Sequence, residues 1–282
     1  MSEWRQYAEA ILDSYKLSAN VVTEREGYNH RTFISSNGVV RIPRKGHSFT
    51  GEVWATKKAR SHGLPVPKII AVEEKAIIPF MLEEKLRGDH ITNGDITPSV
   101  SRQAGEALAK IHSVKTSNYG WIDGTGKGRY DNWAPYLEAR RKFIDQAVRL
   151  NLLDIGEISA MNKMYDHLES KQVRKPVLLH GDFQFNNLLF YKGKLSGIID
   201  FAPRSGPIEF DVGGVAACLN GDHFKSFEEG YGRTISEENS LLYAIDKLIG
   251  MMVFYSSRKP AIIPRLQKKL DDVIDRLYAR AE

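Results

Sequence analysis

The chain of 282 residues carries a single cysteine, Cys218, so it has no means of forming an internal disulfide, and it lacks the clustered Cys and His of a zinc-finger spacing. A reducing cytoplasm is the expected setting. Long apolar runs are missing as well: the longest, Leu248 to Tyr255, falls far short of the roughly 20 residues that cross a bilayer, which excludes membrane insertion. Residues 1–16 interleave Glu3, Glu9 and Asp13 with apolar positions, the pattern of an amphipathic helix and not of a secretory leader. Internal repeats and low-complexity tracts are absent, and a charged content of 27% fits a globular chain with nothing to favour disorder. The length allows a sizeable core, arranged as one large domain or two lobes.

Basic residues exceed acidic ones by five, yet no base-reading motif accompanies that excess, and nucleic acid is not an expected partner. The charge is unevenly spread. Residues 41–60 hold Arg41, Arg44, Lys45, Lys57, Lys58 and Arg60 against Glu52 alone. Residues 204–239 hold Glu209, Asp211, Asp222, Glu228, Glu229, Glu237 and Glu238 against Arg204, Lys225 and Arg233. A basic amino-terminal part suits a polyphosphate and an acidic carboxy-terminal part suits a cationic acceptor, although each charge taken singly is equally an ordinary solvated one.

The segment Val177-Leu178-Leu179-His180-Gly181-Asp182-Phe183-Gln184-Phe185-Asn186-Asn187, with Gly197-Ile198-Ile199-Asp200-Phe201 after it, carries the chemistry. Its polar residues interrupt apolar runs that read as buried strands, and buried strands hold such groups in place. Asp182 is placed to orient and deprotonate a hydroxyl. Asn187, five residues on, and Asp200, on the next strand, offer an amide oxygen and a carboxylate to magnesium. The alternative, with His180 a satisfied core histidine and Asp200 capping a strand, leaves the joint spacing to coincidence.

His-Gly-Asp with Asn five residues after the Asp, followed by Ile-Ile-Asp-Phe, resembles the aminoglycoside phosphotransferase family. Leu64-Pro65-Val66-Pro67 after a helix and the Leu-x-x-Ile-His-Ser ending at Leu108 to Ser113 resemble the same family. The resemblance implies an α+β, bilobal, protein-kinase-like fold, with a small antiparallel-sheet lobe over residues 1–86 that binds nucleotide. A larger, mainly helical lobe over residues 87–282 would carry the catalytic loop and the acceptor pocket.

Within the small lobe, Asn37-Gly38 predicts a tight hairpin from Arg31–Ser35 into Val39–Pro43. Under the resemblance, the turn at Gly27 to His30 covers the phosphates with backbone amides, though one glycine alone equally makes a plain hairpin. Val39 and Arg41 share a strand face, where the resemblance implies an adenine-packing residue and a phosphate-binding cation. Arg41 stands where the family has lysine, a departure that changes the donor geometry. Glu52, at the start of a helix predicted over Phe49 to His62, is its expected ion-pair partner, or else simply complements the helix dipole. Strands are expected at Ala76 to Phe80 and Met81 to Leu86, with Glu84, Lys85 and Leu86 as the hinge whose backbone meets the adenine edge.

Beyond the hinge, helices are predicted over Ser99 to His112, Trp133 to Leu153 and Ile158 to Glu169, then over Ser240 to Tyr255 and Pro264 to Ala281 around Pro260. Gly120, Gly124, Gly126 and Gly128 mark residues 117–132 as a surface loop, whose Trp121 either stacks on a substrate or, like Trp133, pins the loop to the core. Asp211 matches a family aspartate that organises the catalytic loop. Ala202 replaces the glycine that follows Asp-Phe in kinases.

The implied activity is magnesium-dependent transfer of the γ-phosphate of ATP or GTP to a hydroxyl of a small molecule. An aminoglycoside-type antibiotic is the first choice of acceptor, with amino alcohol, sugar, amino acid and macrolide acceptors as alternatives. Two rivals lie outside that class: a nucleotide-binding pseudokinase, which would not need Asp182, Asn187 and Asp200 all kept, and a protein-serine kinase, for which Phe201 to Asp211 is too short an activation segment. A monomer is expected, with a dimer left open.

Overall fold

A computed structural model describes residues 2–279 apart from 22, 28, 45, 46, 155, 156, 172–174 and 220. The amino-terminal amphipathic segment forms α1 (Glu3–Ser14), capped by Ser2, whose side chain accepts a hydrogen bond from the Arg5 amide. Its apolar stripe of Ala8, Ile11 and Leu12 packs against a five-stranded antiparallel sheet. The strands are β1 (Thr23–Glu26), β2 (His30–Ile34) and β3 (Gly38–Pro43), then, after α2 (Thr50–Ser61), β4 (Ile69–Glu73) and β5 (Phe80–Glu84), in the order β1-β2-β3-β5-β4. The Asn37-Gly38 turn sets Ile34 opposite Val39. Alternation then sorts the central strands. Val40, Ile42 and Leu82 enter the core under α1 with Phe33 and Phe80, while Arg41 and Glu83 meet on the other face.

The strands expected at Ala76 to Phe80 and Met81 to Leu86 are corrected. Residues 74–78 form a bend, and a single strand, Phe80–Glu84, pairs with an earlier one at Ile69–Glu73. Pro79 has no N–H to give a ladder, so the chain turns before it and pairs after it.

The larger part opens with β6 (Asp89–His90) and α3 (Pro98–Ile111). Helix α3 starts on Thr97, whose hydroxyl accepts from the Val100 amide, and holds Pro98 in the first turn, where a missing N–H costs nothing. A second correction concerns residues 117–132. They form a hairpin, β7 (Tyr119–Ile122) and β8 (Gly128–Tyr130), and not a flexible loop. The glycines serve the hairpin: Gly120 and Gly126 take positive φ.

After α4 (Ala134–Arg149) and α5 (Ile158–Ser170) come β9 (Val177–Leu179), β10 (Leu188–Tyr191), β11 (Lys194–Ile198) and β12 (Arg204–Gly206). These build two small sheets, β11-β10-β6 and β8-β7-β12-β9, so the hairpin is paired to the strand pair that leads into His180. The chain ends in α6 (Glu209–Ala216), α7 (Gly221–Tyr231), α8 (Glu237–Tyr255) and α9 (Ile263–Tyr278). Asp246 of α8 is fully buried and ties three helices, taking Arg140 of α4 at 2.6 and 2.7 Å and the Tyr165 hydroxyl of α5. Of the residues named from sequence, Lys45 and Ala281 lie outside the described ones, as does residue 28 in the turn from Gly27 to His30.

Two apolar clusters result. The smaller lies between α1 and the five-stranded sheet. The larger runs through α3 to α9 and also takes Ala55 and Ala59 from α2, with Leu64 and Val66 after it. Helix α2 lies between two strands of the sheet in sequence but packs with the larger core. Among the described residues, no helix is long and apolar enough to cross a membrane.

Candidate active site

Strand β9 ends in a loop, residues 180–187, anchored from below by one carboxylate. Asp211, fully buried on α6, accepts the His180 amide at 2.7 Å and the Gly181 amide at 2.9 Å, one on each oxygen. It also meets His112 Nε2 at 3.3 Å and Lys247 Nζ at 3.9 Å, while His112 Nδ1 lies 2.7 Å from the Tyr231 hydroxyl. Burial would raise the Asp211 carboxyl, but the His112 hydrogen bond and the Lys247 charge outweigh it and hold the pKa down at about 2. His180 donates from Nε2 to the Ile199 carbonyl at 3.1 Å, which leaves Nδ1 to accept from the Asp182 amide at 3.3 Å. Burial lowers its pKa and keeps the ring neutral. Gly181 is required here. Its φ is 83°, and a Cβ at this position would lie 1.8 Å from the Ala202 carbonyl oxygen.

Asp182 follows at the exposed side of the loop. One carboxylate oxygen accepts from Gln184 Nε2 at 2.6 Å; the other accepts from Asn187 Nδ2 at 3.2 Å, and the same nitrogen reaches the Asp182 carbonyl at 2.9 Å. Because the Asn187 amide nitrogen is spent on Asp182, its Oδ1 is left without a protein partner among the described residues. The Asn187 carbonyl accepts from the Ile199 amide at 3.0 Å, which fixes the strand end carrying Asp200 beside it. Asp200 itself has φ 58°, a left-handed conformation that Asp tolerates better than most residues, and its side chain is half exposed.

Two oxygen donors with one carboxylate suit Mg²⁺, which keeps waters and phosphate oxygens in its shell and does not need a protein cage. Among the described residues no group of three or more His, Cys, Asp or Glu could hold a metal.

Arg41 is 4% exposed and crowded by acids. Its Nη1 pairs with Glu52, as expected, and lies 3.7 Å from Glu83; its Nη2 lies 3.4 Å from Asp200 and donates to His30 Nε2 at 2.7 Å. Burial alone would depress the guanidinium, but Glu52, Glu83 and Asp200 together raise its pKa. Burial pushes Glu83 up to about 7 against the pull of Arg41. Burial, then Arg41 and His47, bring His30 down to about 2, so His30 is the neutral acceptor. One cation thus faces three acids, of which Glu52 and Glu83 are held by burial towards their neutral forms.

The remaining sequence-expected residues sit around this cluster. Val39 is opposite Glu83 in the β3–β5 ladder. Gly27 closes its turn by donating to the His30 carbonyl at 2.9 Å. The amides of Glu84 and Lys85 are already given to Lys68 and Asn37, at 2.9 and 3.2 Å, so of the expected hinge only the Leu86 amide lacks a protein acceptor among the described residues.

Glu83, His30, Gln184, Lys247 and Arg204 were not singled out by sequence as parts of the site. Glu83 had a signal: it lies one strand step from Leu82, on the face opposite the α1 core. Asp211 is the buried brace, Glu229 pairs with Arg102 at 2.5 Å, and Glu238 lies 3.9 Å from His167.

The profile of the phosphotransferase enzyme family (APH) matches residues 23–238. A probable ketoamine kinase of Staphylococcus aureus is 25% identical over 214 residues, 69% of this chain and 69% of that protein. The hygromycin-B 4-O-kinase of Escherichia coli is 21% identical over 222 residues, 73% of this chain and 64% of that protein. Among solved structures, a thermostable mutant of the aminoglycoside phosphotransferase APH(4)-Ia, in ternary complex with AMP-PNP and hygromycin B, superposes with a TM-score of 0.76 at 15% identity. That match covers 96% of this chain and 98% of the other. The chain therefore has the bilobal, protein-kinase-like α+β fold and belongs to the phosphotransferase enzyme family.

Proposed function

We propose that the protein transfers the γ-phosphate of a nucleoside triphosphate to a hydroxyl of a small molecule, with Asp182 as the base. The observation that carries this reading is the meeting of Arg41 and Asp200 at 3.4 Å, alongside Asn187 hydrogen-bonded to Asp182. A strand of the small sheet and the catalytic loop thereby share one cluster of charge.

Asp182 takes the proton of the acceptor hydroxyl as its oxygen attacks the γ-phosphorus. The bond from that phosphorus to the β–γ bridging oxygen breaks, and the diphosphate leaves. Gln184 and Asn187 hold the carboxylate in place, so its orientation is set before the acceptor arrives. Asn187 Oδ1 and Asp200 would hold magnesium, which supplies positive charge to the phosphate oxygens. Arg41, with Glu52 and Glu83 already on its fork, positions Asp200 more than it offers free donors to phosphate. Residues 1–86, with Gly27, Val39, Glu84 and Leu86, serve the nucleotide, and residues 87–282 serve the acceptor.

An aminoglycoside-type antibiotic heads the acceptor classes, supported by the hygromycin-B kinase among the relatives; a ketoamine is the second reading, supported by the other relative. A triphosphate-consumption screen over hygromycin B, other aminoglycosides, a ketoamine, amino alcohols and simple sugars tests both. Consumption stimulated by one class names the acceptor. Magnesium-dependent nucleotide binding with no consumption across the panel favours the pseudokinase.

A further inference from the structure

Trp121 within β7 and Trp133 just after the β7–β8 hairpin part company in the structure. Trp133 is 3% exposed, donates from Nε1 to the Tyr243 hydroxyl at 2.8 Å and stacks on Tyr136 at 4.4 Å between ring centroids; it pins the segment to the core. Trp121 is 47% exposed although its strand is paired. The guanidinium of Arg204 lies against its ring, the central carbon 3.8 Å from the ring centroid, while nearly half of the residue stays open to solvent.

Trp121 pairs with Arg204, and Arg204 pairs with Leu179, so the three form a row across the sheet. Leu179 directly precedes His180 and the catalytic loop. Two strand spacings, about 10 Å, separate the Trp121 backbone from that of Leu179. Arg204 Nη1 donates to the Ala202 carbonyl at 2.5 Å, and that oxygen presses on Gly181, next to Asp182. The guanidinium that lies against Trp121 therefore also borders Gly181, the residue before the proposed base.

Arg204 also limits what kind of ring can lie there. It is 7% exposed, it has no carboxylate within 4.0 Å among the described residues, and its Nε is buried without a partner. A fixed, unneutralised cation behind the indole already engages the ring's negative face. An ammonium group on the outer side would gain little and be repelled, whereas the apolar C–H face of an uncharged ring gains contact at no charge cost.

We propose that the outer face of Trp121 is the stacking platform of the acceptor site and takes an uncharged, polyhydroxylated ring, with any ammonium groups of the acceptor turned away from Arg204. This rests on the phosphotransfer reading above, which places the acceptor beside Asp182.

The test is binding, which needs no turnover. The ¹⁵N indole resonance of Trp121, assigned by its loss in Trp121→Phe, is followed while the protein is titrated with methyl β-glucoside, hygromycin B or ethanolamine. Both ring-bearing probes are expected to shift it saturably, and ethanolamine is not. Trp121→Ala should weaken the ring probes about tenfold, and Trp121→Phe should retain most of the affinity. The proposal is overturned if neither ring probe moves that resonance, if ethanolamine alone moves it, or if Trp121→Ala binds the ring probes within twofold of the parent. A saturable ring-probe shift in a protein that never consumes triphosphate would sustain the platform and defeat the phosphotransfer reading.

Discussion

At the scale of residues, His30 shows how a small change in one group's surroundings becomes a dependence on pH. Its native pKa of about 2 lies well below the roughly 6.5 of an unfolded histidine, so between those values the unfolded chain binds one proton more. Its contribution to stability is therefore present above pH 6.5 and is lost as the pH falls, by up to about 1.4 kcal/mol per pH unit. Glu83 works in the opposite sense. Its native pKa, raised to about 7, lies above the unfolded value, so its contribution is present at low pH and is lost as the pH rises through 7. The wild-type slope mixes the two, and the informative quantity is a difference. His30→Asn should gain on the wild type as the pH drops from 6.5 to 4.5, in chemical denaturation at a series of pH values. Parallel stability curves would show that His30 titrates normally in the native state. Asp182, Asn187 and Asp200, and the Arg41–Glu52 pair, were legible because short spacing or a strand-to-helix step joins them. His30 and Glu83 reach Arg41 only through the register of three strands, which no local pattern encodes.

At the scale of elements, the hairpin of β7 and β8 is the part that local sequence concealed. Its four glycines read as flexibility, whereas Gly120 within β7 and Gly126 in the turn take positive φ, and β7 finds its partner in β12, more than 80 residues on. The same hairpin is pressed against α2. A Cβ on Gly51 would lie 2.3 Å from the Ile122 carbonyl oxygen, a backbone atom that cannot step aside alone. Since Glu52 is the next residue, the hairpin and the Arg41 ion pair are one contact apart. Gly51→Ala is expected to destabilise the protein by about 1–3 kcal/mol through overpacking and to raise the KM for nucleotide by displacing Glu52. Thermal unfolding with steady-state kinetics on the variant checks both, and an unchanged Tm would show that the hairpin yields freely.

At the scale of the molecule, the five-stranded sheet carries the small apolar core on one face and the charged cluster on the other. The alternation of β3 and β5 sends apolar side chains to the small core and Arg41 and Glu83 to the face shared with Asp200, so one pattern builds both a fold and half of a site. The overall architecture was legible from the order of hairpin, helix, strands and catalytic segment. The division of cores was less so, because α2 gives Ala55 and Ala59 to the larger one through tertiary packing. The account's central claim is that Asp182, held by Gln184 and Asn187, is the base for phosphoryl transfer. It is tested most directly by comparing the rate of phosphorylated-acceptor formation by wild type and Asp182→Ala, with nucleotide affinity measured on the same samples. The expected result is a fall in turnover on the order of 10² to 10⁴ with nucleotide affinity nearly unchanged. Equal turnover in the two proteins would contradict the account.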